Sequence, residues 1–271
     1  MDLLTVEALE RPADDAALRA RAAAMPAASP TDALLAGGTW LFSVPQPHLR
    51  TLVDLTTLPW PAVSTTPAGV TVAATATIAQ LVEQLPHPLV QGCAEALVGS
   101  HKVWNVATVG GNIALALPAG PMTTLAVTLD ATAVVWPATG GETRLPVADL
   151  VVGDRRTLLA AGDVLRAVEL PSSALRSRTA LRKASLAPLG RSAALLGGRI
   201  DGDGAVTLAV TAARARPAVL RFPAAPDTAE LDAAVLGLEA DGPWFDDPHG
   251  TPAWRRAMTR RLAREIVEEL T

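Results

Sequence analysis

The sequence is poor in several residue types that particular functions require. Its 271 residues include one cysteine, four histidines and no tyrosine. A single thiol, Cys93, cannot form an internal disulfide, and a protein-held iron–sulfur cluster takes about four ligands. The histidines are scattered and show no ligand spacing. We therefore expect no metal site, so any redox chemistry in this chain must use an organic carrier. Cys93 is expected to be a small, buried apolar residue of the core.

Positive charge and long apolar runs are also lacking. The formal net charge is −4, whereas a nucleic-acid site needs a basic footprint. No apolar run approaches the length of a membrane span. The first residues carry acids and lack the basic segment and apolar run of a signal peptide. The sequence therefore predicts a cytoplasmic protein that binds neither nucleic acid nor membrane.

The common nucleotide-binding motifs are missing as well. No G-x-G-x-x-G opens a helix, and no G-x-x-x-x-G-K-[ST] occurs, so neither a Rossmann nor a P-loop site is indicated.

Two glycine clusters are the main positive signal. Paired glycines allow a positive φ and let a ligand approach the main chain, and successive N–H groups in such turns form anion-binding concavities. Two clusters in one domain suggest two loops that grip one diphosphate, although a glycine pair alone is usually only a tight turn. The clusters are Ala36-Gly37-Gly38-Thr39-Trp40 and Thr108-Val109-Gly110-Gly111-Asn112.

The sequence around these clusters resembles the FAD-binding medium subunit of the molybdenum hydroxylases, the flavoprotein of carbon monoxide dehydrogenase and xanthine dehydrogenase. The resemblance runs in order through both clusters, the strand from Val164 to Pro171 and the ending from His249 to Arg256. It implies an α+β fold: a two-lobed PCMH-type FAD-binding domain followed by a small C-terminal domain of sheet and helices. The implied divisions are 1–58, 59–172 and 173–271.

Hydrophobic patterning agrees with three units. Predicted helices cover 14–24, 78–85, 122–130 and a final stretch with an apolar stripe from Trp254 to Leu270. Pro26 and Pro30 are expected to end the first helix. Predicted strands are 34–35, 52–55, 70–75, 131–136, 143–147, 164–170, 180–184, 192–200 and 205–213.

By resemblance, both clusters bind the FAD diphosphate, and Lys183 with Arg182 lies where the third unit approaches the cofactor. There the two residues either contact a phosphate or the adenine, or form a solvated basic pair. The physics of the clusters agrees, because main-chain N–H groups can meet a diphosphate charge without a lysine. Asn112 either donates an amide hydrogen or braces its loop. No catalytic acid or base is expected.

Several positions depart from the family pattern. Trp40 replaces an acidic or amide residue, and Trp104 replaces an arginine. Leu117 and Pro121 replace a serine and an aspartate near the flavin, and Leu181 replaces an aromatic residue. Each tryptophan either stacks on the cofactor or packs in the core.

The resemblance implies an FAD-dependent oxidoreductase subunit with two partners, an iron–sulfur small subunit and a molybdopterin large subunit. The FAD-binding subunit would pass electrons between these partners and an external acceptor. Two alternatives stay open: a stand-alone flavoenzyme that acts directly on a small molecule, and an assembly module that has lost FAD.

Overall fold

A computed structural model describes residues 3–25 and 31–271. The described chain contains sheets of three, five and four strands and one two-stranded hairpin. Helices cover one or both faces of the larger sheets. The predicted α+β class is confirmed. The implied domain division after residue 58 falls between the first two sheets, and the division after residue 172 falls at the start of a short helix.

The first sheet is parallel and has the order β1-β3-β2. Helix α1 begins where the Asp14 carboxylate accepts from the Ala17 N–H at 2.8 Å, and its Leu18 packs on Val53 of the sheet. The prolines expected to end this helix lie outside the described residues. The elements are β1 (Ala8–Glu10), α1 (Asp15–Ala23), β2 (Asp32–Leu35) and β3 (Thr51–Asp54).

The second sheet is antiparallel, with the order β4-β5-β10-β6-β7. Its strands are β4 (Val63–Thr66), β5 (Gly69–Ala73), β6 (Thr132–Trp136), β7 (Thr143–Pro146) and β10 (Val164–Pro171), and a hairpin of β8 (Val151–Gly153) and β9 (Arg156–Thr157) lies beside it. The associated helices are α2 (Ile78–Gln84), α3 (Pro88–Ala96), α4 (His101–Trp104), α5 (Val109–Leu115), α6 (Pro121–Thr128) and α7 (Val147–Leu150). Every residue of α6 is buried, so this helix forms the centre of the main core.

The third sheet is antiparallel, with strands in sequence order from β11 to β14. Its elements, after the short helix α8 (Ser172–Leu175), are β11 (Arg178–Ala184), β12 (Ala194–Ile200), β13 (Val206–Thr211), β14 (Ala218–Phe222), α9 (Thr228–Gly237), a 3-10 turn (Leu238–Asp241) and α10 (Pro252–Leu270). The predicted apolar stripe of α10 is confirmed, because Leu262, Ile266 and Leu270 are buried against the sheet.

The buried helix α6 joins the second and third sheets. A Cβ on Gly197 of β12 would lie 2.1 Å from Thr128 Oγ1, so only glycine allows this close contact. Arg199 of β12 donates to the Thr128 carbonyl at 2.9 Å and pairs with Asp130. These contacts fix the third sheet against the second.

The prediction of a loop across Thr108–Asn112 is wrong in part, because α5 begins at Val109. Thr108 caps this helix by accepting from the Gly111 N–H at 3.1 Å. Two glycines in the first turn lower helix propensity, which concealed the helix in the sequence. Patterning also missed β1, β4, β14, α3 and α9.

Candidate cofactor site

The first glycine cluster packs against the segment that leads into the second. Gly37, which follows β2, packs on the main chain of Val106, and a Cβ on Gly37 would lie 1.9 Å from the Val106 carbonyl oxygen. Gly110 packs equally tightly, because its Cβ would lie 2.3 Å from the Ala74 Cβ. Glycine at these two positions is therefore required for the segments to approach each other.

Gly38 is glycine for a different reason. It has a φ of 66°, the left-handed region that disfavours side chains. This conformation redirects the chain after β2 into a turn. In that turn, Phe42 donates its N–H to the Gly38 carbonyl at 2.9 Å. The Phe42 ring also covers Gly38, since a Cβ there would lie 2.4 Å from it.

The first cluster leaves its main-chain donors open. Among residues 3–25 and 31–271, no N–H group from Ala36 to Leu41 donates a hydrogen bond. Buried or half-buried N–H groups are normally paired. A run of open donors beside a cavity is therefore a site suited to an anion.

The second cluster differs, because its donors are already used. Val109 and Gly110 donate to the carbonyls of Ala76 and Ala74, each at 2.9 Å. Gly111 and Asn112 donate to the side chain and carbonyl of Thr108. This cluster supplies shape and the Thr108 hydroxyl, whose hydrogen has no acceptor in the described part of the chain.

Two cavities flank the contact between the clusters. The first has a volume of about 510 Å³ and the second about 420 Å³, both in the range of roughly 300–1,000 Å³ typical of small-molecule sites. Ala36, Gly37 and Thr108 line both cavities. These residues therefore form a partition across one two-part cleft.

The two cavities differ in chemistry, and no lysine or arginine of the described residues lines either. Leucines dominate the first, which Trp40 and Leu117 also line. Threonine hydroxyls and amides mark the second, with Thr56, Gln80 and Asn105 among its lining residues. The Arg155 guanidinium lies 5.2 Å from the centre of the Trp40 ring, at the edge of the first cavity.

Asn112 braces the neighbouring helix. Its side-chain oxygen accepts from the Met122 N–H at 3.0 Å, and its amide nitrogen has no acceptor in the described part of the chain. Leu117 faces the first cavity. Pro121 is buried as the first residue of α6, so it supplies no polar group there.

Lys183 lies apart from the glycine clusters and lines neither cavity. On β11 it alternates with Arg182, which is tied to α10 by Glu265 and Glu269. Partial burial lowers the pKa of Lys183. The alternative of a solvated basic pair is therefore wrong for Arg182, because Arg182 belongs to an ion-pair network on the opposite face of the strand.

The other singled-out residues lie in the core or beside it. Trp104 packs against the main core, lines neither cavity, and has a buried indole N–H with no acceptor in the described structure. Cys93 is buried, and burial raises the pKa of its thiol well above the ordinary range.

Within residues 3–25 and 31–271, no three histidine, cysteine or acidic side chains are grouped to hold a metal. Over the same residues, no helix is long and apolar enough to cross a bilayer.

Sequence reasoning missed several residues of the cleft. Val106 forms the partition through its carbonyl, and Phe42 covers Gly38. Asp54 shapes the segment that leads to the second cavity by accepting from the Thr56 N–H and hydroxyl at 2.9 and 2.6 Å. The Asp-Leu-Thr order at 54–56 was an available signal, since aspartate commonly bonds the main chain two residues on.

Solved structures share this fold across nearly the whole chain. Carbon monoxide dehydrogenase from Oligotropha carboxidovorans matches with a TM-score of 0.85 and 21% identity, covering 100% of this chain and 99% of that one. The enzyme from Hydrogenophaga pseudoflava gives 0.82 and 20%, covering 100% and 98%. Quinoline 2-oxidoreductase from Pseudomonas putida 86 gives 0.79 and 20%, again covering 100% and 98%.

No curated protein matches the sequence. A family model described as the FAD binding domain in molybdopterin dehydrogenase matches residues 14–173, which include both glycine clusters and all of the second sheet. The open N–H groups and the two-part cleft fit a dinucleotide. The chain therefore belongs to the FAD-binding domain family of the molybdopterin dehydrogenases and is an FAD-dependent oxidoreductase component.

Proposed function

We propose that this chain is the flavoprotein subunit of a molybdenum hydroxylase. Its partners would be an iron–sulfur small subunit and a molybdopterin large subunit, and it would carry electrons between them and an external acceptor. The proposed location of the complex is the cytoplasm. The observation that carries the proposal is the partitioned cleft, which suits a dinucleotide. It lies within a chain whose fold matches that of a carbon monoxide dehydrogenase structure along its whole length. We retain 1–58, 59–172 and 173–271 as its proposed domains.

The diphosphate of FAD is proposed to lie at the partition. The open N–H groups of Ala36, Gly37, Gly38, Thr39 and Trp40 face no acceptor in the described chain, and hydrogen bonds to a charged acceptor are about twice as strong as neutral ones. The second cluster, Thr108, Val109, Gly110, Gly111 and Asn112, would close the other side. Its contribution is a close-packed wall, the Thr108 hydroxyl and the free Asn112 amide hydrogens.

The two halves of the dinucleotide are proposed to occupy different cavities. The leucine-lined first cavity suits an aromatic ring system and lies toward the third sheet through Leu117. The hydroxyl-rich second cavity suits a sugar and its base. We retain Lys183 as a cofactor contact through the third domain, approached from the edge of β11.

FAD supplies two-electron redox chemistry when bound. The protein's part is to hold the cofactor and exclude water. In the first cavity, leucines and Trp40 provide an apolar wall. No side chain need act as an acid or base for electron transfer, so we propose no catalytic residue.

Co-purification tests the partner assignment. The affinity-tagged chain is isolated from its native host under mild conditions, and the eluate is assayed for flavin, iron and molybdenum. We expect all three to elute together with two further polypeptides. Elution of a flavin-loaded chain without iron or molybdenum would contradict the subunit assignment while leaving FAD binding intact.

One observation favours a stand-alone flavoenzyme as the second candidate. Leu117 and Pro121 put apolar groups where the family resemblance implies polar ones, and Leu117 lines the first cavity. Direct reduction of the flavin by a small molecule, in the absence of any other subunit, would favour this candidate. The third alternative, an assembly module without FAD, has no structural observation in its favour.

A further inference from the structure

A polar cavity adjoins the proposed flavin cavity and shares the Leu117 side chain with it. Its volume is about 220 Å³, and its lining includes the turn between β8 and β9, residues 191–192 before β12 and residues within 245–249 before α10. Leu117 lines both this cavity and the larger one. A ligand bound here would therefore lie next to the proposed cofactor.

The charges that line this cavity favour an anion. Arg155 and Arg191 both line it, and in the described part of the chain neither has a carboxylate within ion-pair distance. Asp154 is the one acidic side chain in the lining without such a partner there. Arg155 also lies 5.2 Å from the centre of the Trp40 ring, so it links the two cavities. Two guanidinium groups without a carboxylate partner in the described chain thus stand against one carboxylate.

The third arginine in the lining has a structural role. Arg255 is 1% exposed, is paired with Asp247, and donates to the carbonyls of Gly250 and Ala193 at 2.8 and 2.7 Å. Its charge is therefore already balanced, and it forms part of the rigid wall.

A buried hydroxyl in the lining has no partner. Ser192 is 3% exposed, and its Oγ makes no hydrogen bond in the described structure. It lines the polar cavity and a smaller one of about 160 Å³ that reaches Asn112. A buried hydroxyl is normally satisfied, so this one is free to bind a ligand.

Arg155 is held in an unusual conformation. Its φ is 52°, in the left-handed region that non-glycine residues rarely adopt. Its own N–H donates to the Ala116 carbonyl at 2.9 Å, which holds the turn at the mouth of the cavity. Strained positions of this kind are concentrated at ligand sites.

We propose that this cavity binds a small oxyanion, a carboxylate or a phosphate, held by Arg155 and Arg191 at its mouth and by the Ser192 hydroxyl on its floor. The guanidinium fork matches both kinds of anion. The volume is below the roughly 300 Å³ of drug-sized sites, so the ligand is a small acid. Binding does not depend on FAD.

Isothermal titration of the full chain, without added FAD, tests this site. Malonate and inorganic phosphate are the probes, with chloride at matched ionic strength as the reference. We expect saturable binding of at least one probe, and the better probe identifies the ligand class. Absence of saturable heat from both probes would overturn the proposal.

Variants locate the binding. Arg191→Gln should raise the Kd at least tenfold, and Ser192→Ala should weaken binding without lowering Tm, because the removed hydroxyl has no partner to lose in the described structure. Arg156→Gln is the matched control, since Arg156 is an exposed neighbour of Arg155 that does not line the cavity. Equal weakening in Arg156→Gln and Arg191→Gln would show a diffuse surface effect and overturn the proposal.

FAD loading separates this proposal from the proposed function. Arg191→Gln should bind FAD as the unmodified chain does, because Arg191 lines neither cofactor cavity. A chain that binds malonate but not FAD would retain the oxyanion site while the proposed function fails.

Discussion

The four glycines of the two clusters meet different physical demands. Gly37 and Gly110 permit close main-chain and side-chain contacts, whereas Gly38 permits a left-handed turn. A Cβ on Gly111 would meet only the Thr108 hydroxyl oxygen, at 2.8 Å. Gly37 is the most informative position to alter, because it belongs to the partition of the cleft.

Gly37→Ala should lower both stability and FAD affinity. The added Cβ would lie 1.9 Å from the Val106 carbonyl oxygen, which must therefore move. Such overpacking costs about 1–3 kcal/mol. A shifted partition should weaken FAD binding about tenfold or more, equivalent to about 1.4 kcal/mol. Urea denaturation and a fluorescence titration with FAD measure the two effects.

Gly202→Ala is the matched control. Gly202 has no heavy atom within 4 Å of its ideal Cβ and no positive φ. We expect unchanged FAD affinity. Equal loss of affinity in both variants would contradict the partition as the binding point.

The sequence was sufficient to single out both clusters but not to distinguish their roles. The donors of the second cluster are used because Ala74 and Ala76 accept from Val109 and Gly110 in the folded chain, whereas no described acceptor meets the N–H groups of Ala36–Trp40. The Gly37–Val106 contact depends on the tertiary fold in the same way. Local sequence carries no information about such pairings between distant segments.

Among the helices, α10 is the one whose buried face the spacing of apolar residues predicted. Its spacing of four predicted a buried stripe, and Leu262, Ile266 and Leu270 form it. Helix α3 was missed because Pro88 and Gly92 resemble turn residues, yet Pro88 occupies the first turn of the helix, where its missing N–H costs nothing. Gly92 lies against the Leu181 side chain, a contact that no local pattern reveals.

Ile266→Ala should destabilise the third sheet. Ile266 is fully buried and packs directly on Gly198 of β12. A Cβ on Gly198 would lie only 2.2 Å from the Ile266 Cγ2. Truncation leaves a cavity against β12 and costs about 2–5 kcal/mol. Thermal unfolding followed by circular dichroism measures the loss.

Glu268→Ala on the same helix is the comparison variant. Glu268 is exposed, and a substitution there should change stability by less than about 0.5 kcal/mol. Similar losses in the two variants would contradict the packing assigned to α10.

At the scale of the whole molecule, an ion-pair network ties the segment between α6 and β6 to the third sheet. Asp130 pairs with Arg199 of β12 and Arg221 of β14. Burial acts to raise the pKa of Asp130, but hydrogen bonds from Arg221 and Arg199 outweigh it, and the pKa lies below its ordinary value. The charged carboxylate is therefore the form that stabilises the fold.

Asp130→Asn should destabilise the protein by about 1–3 kcal/mol at neutral pH. Asn tolerates the φ of 49° at this position, so the change removes mainly the charge. Because the folded-state pKa is depressed, the stabilisation is complete above the ordinary aspartate pKa of about 3.9. It is lost as the pH falls through the lower folded-state value.

Urea denaturation at several pH values tests this sign. The difference between the unmodified chain and Asp130→Asn should shrink in acid, whereas Asp149→Asn, at an exposed position without an ion pair in the described chain, should differ little at any pH. A difference that grows below pH 4 would contradict the assigned direction.

FAD binding by the isolated chain is the central claim, and the visible absorption spectrum of the purified chain, followed by heat release of its chromophore, tests it most directly. We predict a flavin spectrum, release of FAD, and restoration of the spectrum when FAD is returned to the stripped chain. A colourless chain that also fails to bind added FAD would contradict the account.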